Sequence, residues 1–287
     1  MYLQLLVVGI AMGMIYALMA MGLILIVKAV GAMNFAHGEL FMMGAYIGYM
    51  LTINLQLTSP WAFLVGIALF MGLGAIFMFT SYWPLRNTEW SVCIIISTMG
   101  ISMALKEFVR LVWGANPLRM DLIIPGSVDF AGAHLEKQYL LIIVVSIVLI
   151  SLVYILFEHM RVGRIMQAAA QKRRTAELLG VPTILTILFT FMISITLSGI
   201  GGWLAAPLFF ISQSLGSFSL KAFAGIVVGG FGSIKGAVVG SLIVGILESY
   251  SILITSTYKD AIVFLLLIVV LAFRPQGLFG TKIEEKA

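Results

Sequence analysis

Apolar residues run along this chain without interruption for longer than one face of a soluble helix or strand requires. Four stretches, Leu3 to Val27, Leu40 to Leu85, Gln138 to Phe157 and Leu178 to Leu220, contain no Asp, Glu, Lys or Arg. About 20 apolar residues suffice for one helical crossing of a bilayer, so two of these runs are long enough for more than one. Strict in/out alternation of the kind a membrane barrel needs is missing, and helices that satisfy their own backbone are expected instead. Hydropathy windows of about 19 residues place spans near 4–27, 36–54, 61–83, 91–112, 138–157, 184–206, 219–234, 236–255 and 259–273, the last three short or interrupted. Pro60 precedes the third span and Pro84 ends it; Pro182 precedes the sixth and Pro207 closes it; Pro275 ends the last. Proline removes a donor and clashes with the preceding turn, so these ends have a chemical cause.

Small residues recur every four positions at Gly9 and Gly13, Gly44 and Gly48, Gly225 and Gly229, and Gly232, Gly236 and Gly240. That spacing lets helix backbones approach closely in lipid. The cluster at Gly229, Gly230 and Gly232 also interrupts a span, and broken helices in transporters line pathways, which makes Gly229 and Gly230 pathway candidates as well as packing residues. The expected architecture is an all-α, polytopic bundle of about eight or nine spans or re-entrant segments. It forms one membrane domain over 1–287 with no soluble domain attached. Met1 to Gln4 has no basic region and the apolar stretch after it is too long for a signal core, so it reads as a span that stays.

Composition agrees: of 287 residues, 61% are hydrophobic and 10% charged, against about 25% charged in a soluble domain. The net charge of +5 is spread over short hydrophilic segments, as topology determinants are, and does not indicate a nucleic-acid surface. Arg161, Arg164, Lys172, Arg173 and Arg174 in the segment 158–182 place it in the cytoplasm by the positive-inside rule; 114–137, richer in acids, goes outside. Arg86, Arg274, Lys282 and Lys286 agree. Nine crossings would put the amino terminus outside, and one re-entrant segment would reverse it.

Catalytic signatures are absent. The nearest approach to a phosphate-binding loop, around Lys235, has Ile234 where the second glycine belongs and Gly236 where the hydroxyl belongs. Leu197-Ser198-Gly199 echoes an ATPase signature but lies inside a charge-free span. His37, His134 and His159 sit in separate segments without zinc spacing, and the single Cys93 can form no intrachain disulfide. Asn34-Phe-Ala-His-Gly-Glu39 is the strongest polar constellation near membrane depth. It reads either as a helix start, with Asn34 as cap and Glu39 favoured by the helix dipole, or as a group at the translocation path or its gate. Ser97, Thr98, Ser102, Ser194, Thr196 and Ser198 are further polar groups a path can use. Lys106, Glu107 and Arg110 read as boundary or structural pairing, and Glu248 as an acid whose partner the sequence does not name.

Between the fifth and sixth spans, Gly163 to Pro182 has an Ala-rich interior that favours helix, and Gly180 before Pro182 marks its stop. Ile165, Ala169, Ala176 and Leu179 form a small apolar face beside Arg164 and the Lys172–Arg174 cluster. Such a helix rests on lipid headgroups or docks in a groove of a soluble partner.

This segment resembles the coupling loop of ABC importer permeases. The chain as a whole resembles the LivH-type permeases of branched-chain amino-acid importers, through Ile15-Tyr-Ala-Leu18, Asn34 to Glu39, Gly44-Ala-Tyr46, Gly163-Arg164, Ala176 to Gly180, Lys221-Ala-Phe223, Gly229 to Ile234, Gly236-Ala237 and Tyr258-Lys-Asp260. It departs at Gln171, where the family often has an acid, and at Lys235, where proline is common. The resemblance implies a non-catalytic permease without cofactors or metal, in a bacterial inner membrane. Implied partners are a LivM-type sister permease, two cytoplasmic ATPase subunits, an extracytoplasmic substrate-binding protein and a branched-chain amino acid. It also implies ATPase coupling through Gly163, Arg164, Ala168, Ala169, Arg173, Ala176, Leu179 and Gly180. Relatives of the same kind serve urea, short amides or other amino acids, and the fold-level features alone also suit an ATP-independent transporter. A membrane enzyme using His37 and Glu39 as an acid/base pair is a third reading, without a nucleophile or metal set to accompany it.

Overall fold

The structure, a computed structural model, describes residues 2–57, 59–86, 91–130, 133–171, 176, 178, 180–255 and 258–280. Its helices are α1 (Tyr2–Val30), α2 (His37–Tyr49), α3 (Ser59–Phe77), α4 (Ser91–Trp113), α5 (Lys137–Glu158), α6 (Arg161–Gln171), α7 (Thr183–Ala205), α8 (Phe218–Gly229), α9 (Ile234–Ser251) and α10 (Lys259–Phe273). A helix lies over each of the nine apolar segments. Among the described residues six helices are long and apolar enough to cross a membrane, and α2, α8 and α10 are the shorter ones. Turns of π-helix extend α2 over Met50–Asn54 and α3 over Met78–Tyr82. One element was not expected from the pattern: β1 (Ser127–Phe130) and β2 (Ala133–Glu136) pair antiparallel, with Ser127 opposite Glu136. Four-residue strands in a polar loop carry too short an alternation to stand out from their neighbours.

Helix α1 is the centre of the bundle. In its most apolar 18-residue window 89% of the residues are buried, against 11% for α4. A helix that is apolar on every side has no face to give to water and goes to the interior, and here α5, α7, α8 and α9 pack around it. The recurring glycines make those crossings close. Gly9 lies against the Cα of Ile246, Gly13 against that of Leu242, and a Cβ on Gly245 would overlap the backbone of Gly13, so α1 and α9 run antiparallel with their backbones nearly touching. The same device joins Gly229 to Gly236 between α8 and α9, and Gly44 to Gly199 between α2 and α7. In lipid, where apolar side chains have no hydrophobic drive to associate, such close backbone approach is a main source of packing energy.

Lys28 at the end of α1 and Glu158 at the end of α5 line one cavity, so both helices finish on the same side, beside the basic segment. The amino terminus, at the other end of α1, therefore lies on the side of the bundle opposite the basic segment. Beyond α7 the chain turns back through irregular backbone at 206–212 and a short 3-10 helix over Gln213–Ser217. Ile211 bridges to Leu118, Gln213 donates to the Lys106 carbonyl at 3.2 Å, and Gly216 meets Gly38 in the first turn of α2. Helix α8 then starts from this point. Its 12 residues span about 18 Å, well short of a hydrocarbon core of about 30 Å.

Candidate functional site

The segment from Asn34 to Glu39 is held from three sides. The Asn34 Oδ1 accepts the Ala36 N–H at 3.0 Å, but Asn34 is not the cap read from the sequence: α2 is capped two residues further on, at Ala36, whose methyl side chain cannot bond the first turn. The Phe35 N–H donates to Thr98 Oγ1 at 3.2 Å, which ties the segment to α4. Fully buried, His37 places Nε2 3.0 Å from the Met19 carbonyl of α1, while its own carbonyl accepts from Ser198 Oγ of α7 at 3.3 Å. A carbonyl oxygen can only accept, so Nε2 carries the proton.

Glu39 faces another way. Its Oε1 lies 3.2 Å from Lys106 Nζ on α4. Residues two apart on a helix do not share a face, so His37 and Glu39 cannot act on one substrate atom as an acid/base pair. Gly38 and Gly216 let α2 and the Gln213–Ser217 turn approach closely, and a Cβ on Gly216 would stand 3.0 Å from Glu39 Oε1. Around this ion pair opens a cleft of about 460 Å³. Its polar lining is Ser102, Gln213, Ser214, Ser217 and Ser219; its apolar lining is Phe35, Met99, Met103 and Leu220. Glu107 and Arg110, 3.8 Å apart, form the exposed pair the spacing suggested, and Lys106 belongs to Glu39 instead.

The other polar candidates divide. Thr98 lies behind the cleft and donates to the Ile95 carbonyl at 2.9 Å, and Ser97 points to the Ser81 carbonyl at 3.4 Å. Ser194 and Thr196 are bonded to the carbonyls of Gly22 and Met192. Gly229 and Gly230 do not join this group. Gly229 is packed on Gly236, and Gly230, at φ +111°, abuts the backbone of Gly280.

At the end of the bundle that carries the basic segment, α6 tucks against the ends of α1, α5 and α7. Gly163 permits contact with Phe157 of α5, Met166 and Ala176 are buried, and Arg164 is exposed. Gly180 has φ +78° and the Val181 N–H bonds to the Ala176 carbonyl at 3.0 Å, which is the glycine-terminated helix end the sequence announced. Arg173 and Leu179 lie outside the described residues, as do the side chains of Ala168 and Ala169.

A charge network, buried at Lys221 and Glu248 and reaching the surface at Lys259 and Asp260, went unrecognised in the sequence. Lys221 Nζ lies 2.5 Å from Glu248 Oε1 and 2.9 Å from Asp260 Oδ1, Lys259 is 3.7 Å from Glu248, and the Tyr16 hydroxyl donates to Glu248 Oε2 at 2.6 Å. The signal was available as a charge balance, since two acids and two lysines stand in otherwise apolar segments, but the pairing is not a matter of spacing.

A multi-pass helical bundle with a half-length helix and a polar cleft set among its spans is the architecture of a membrane transport protein. Residues 5–271 match the family described as branched-chain amino acid transport system, permease component. The chain is 32% identical to the high-affinity branched-chain amino acid transport system permease protein LivH of Escherichia coli K12, across 99% of this chain and 97% of that one. It is also 32% identical to the permease protein BraD of Pseudomonas aeruginosa, across 99% and 98%. Among solved structures, PsaBC from Streptococcus pneumoniae in complex with Fab shares the fold, with a TM-score of 0.52 over 96% of this chain and 93% of that one at 12% identity. The chain belongs to the branched-chain amino acid transport permease family, and is a translocating membrane subunit, not an enzyme.

Proposed function

We propose that this chain is the permease subunit of an ATP-driven importer for leucine, isoleucine and valine. Its end-to-end likeness to the LivH and BraD permeases carries that reading. In it the chain is one permease domain with a cytoplasmic coupling segment at 158–183. It works with a LivM-type sister permease, two cytoplasmic ATPase subunits and an extracytoplasmic binding protein. The ATPases grip the segment that carries Gly163, Arg164, Ala168, Ala169, Arg173, Ala176, Leu179 and Gly180, with Arg164 on its outer side and with Gly163 and Ala176 holding it to the bundle. The contacts of α6 with the ends of α1, α5 and α7 support this role, because a push there reaches the central helix and two of its neighbours. The segment 206–217, irregular up to the Gln213–Ser217 3-10 helix, and the Glu39–Lys106 cleft form this chain's share of the path, since non-helical backbone within a membrane is tolerated where it is enclosed by protein or lines a wet cavity. His37, fixed on α1, serves to position α2.

Reconstitution in sealed liposomes tests the proposal. Leucine uptake is expected when the chain, its sister permease, the ATPases, the binding protein and ATP are all present, and is expected to stop when the ATPases are withheld. Uptake by the chain alone would reject it, and uptake of urea in place of leucine would reassign the solute.

A further inference from the structure

Glu39 is 5% exposed, yet its carboxylate opens on the cleft, and the Lys106 side chain opposite is half exposed. A carboxylate, an ammonium, a glutamine and several serines on the outside of an apolar bundle cannot face acyl chains, so this face looks onto water or onto a partner that encloses it. The pair is also simple to replace. It makes one contact, at 3.2 Å, between a buried carboxylate and a half-exposed ammonium, so Lys106 can leave Glu39 without itself being cut off from water. Lys106 stands on a flexible four-carbon stem and can swing away without moving a helix.

A free α-amino acid carries an ammonium and a carboxylate on one carbon, with its side chain alongside. We propose that the Glu39–Lys106 pair is the solute-recognition pair of the permease. The solute's ammonium replaces Lys106 at Glu39, and its carboxylate takes Lys106 as its new partner. The branched side chain lies on Phe35, Met99, Met103 and Leu220. Helix α8 begins at the same edge, and the positive end of its dipole favours the carboxylate there. The exchange leaves no charge unpaired, which removes the large penalty of an isolated ion in a low-dielectric site. The cleft volume of about 460 Å³ falls in the range of ordinary small-molecule sites. This assignment rests on the importer reading and adds the residues that meet the solute.

The test uses the purified complex of this chain with its sister permease and ATPases, the binding protein omitted so that its own selectivity does not enter. Equilibrium binding of tritiated leucine is measured, and binding of leucinamide, which lacks the carboxylate, and of 4-methylpentanoate, which lacks the ammonium, is read by competition. Lys106→Gln, at a half-exposed position, is expected to weaken leucine and 4-methylpentanoate at least tenfold and to tighten leucinamide, whose ammonium no longer competes with Lys106 for Glu39. Glu39→Gln is expected to weaken leucine and leucinamide at least tenfold and to tighten 4-methylpentanoate, which no longer competes with Glu39 for Lys106. Leucine binding unchanged in both variants would overturn the assignment. So would a wild-type complex that binds no leucine by itself yet imports it with binding protein and ATP, an outcome that leaves the importer reading standing. Failure of that complete system to import any branched-chain amino acid is the separate result that removes the importer reading and this assignment with it.

Discussion

Lys221 Nζ and Glu248 Oε1 stand 2.5 Å apart among membrane helices, with both side chains buried, and the pair joins α8 to α9. Asp260 extends the contact to α10 and Tyr16 extends it to α1, so four helices meet at one balanced set of charges. Removing one member of the pair leaves the other, still buried, with only a more exposed counter-charge, Asp260 for Lys221 or Lys259 for Glu248, and that is worse than having no pair. Lys221→Met or Glu248→Leu alone is expected to lower stability by about 3–5 kcal/mol, read as a lower thermal midpoint in mild detergent. The double variant Lys221→Met, Glu248→Leu is expected to recover part of that loss. Additive losses would show that the two residues act separately.

His37 is enclosed by α1 and α7, without access to the cleft. His37→Ala removes a ring held to the Met19 carbonyl and leaves a cavity, at a cost of about 2–4 kcal/mol. The expected signature is a lower melting temperature, with the leucine affinity of the folded fraction unchanged. A stable variant with altered affinity would place the ring at the path instead.

Gly245 and Gly13 bring α9 onto α1. Any side chain at Gly245 drives the helices apart, and overpacking of this kind costs about 1–3 kcal/mol. Gly245→Val is expected to reduce the yield of folded protein by gel filtration, whereas Gly72→Ala, where nothing lies within 4 Å of the added atom, is expected to behave as the parent.

Arg164 projects from α6 into solvent. Arg164→Glu leaves the bundle's packing alone and reverses a charge on the proposed ATPase-docking surface. Reduced co-purification of the ATPase subunits, by several-fold and more so at low salt, is expected. Undiminished co-purification would move the docking surface away from α6.

How far the sequence reached differs between elements for physical reasons. The nine apolar segments were legible because lipid requires each helix to satisfy its backbone alone, so every span is announced locally. Four-residue glycine spacing announced close packing, but not that Gly13 would meet Gly245 or Gly44 meet Gly199. The glycine stop at Gly180 was legible too, since a left-handed residue ends a helix by local geometry. Glu39 stood out as an ionisable group near membrane depth, while Lys106 was assigned to boundary pairing with its sequence neighbours. Their partnership joins residues 67 positions apart and depends on how α2, α4 and the turn at 213–217 converge.

Composition and hydrophobic run length were thus enough to determine a multi-pass helical membrane protein, and the motifs spread along the chain pointed to its family. Those properties are written residue by residue, in the balance between apolar side chains and water. The tertiary structure decided which charges are neighbours: Glu39 with Lys106 at an open cleft, Lys221 with the buried Glu248 and, at its outer edge, with the exposed Asp260. Electrostatic partnership falls with distance through space and is blind to distance along the chain, so it exists only once the helices have packed.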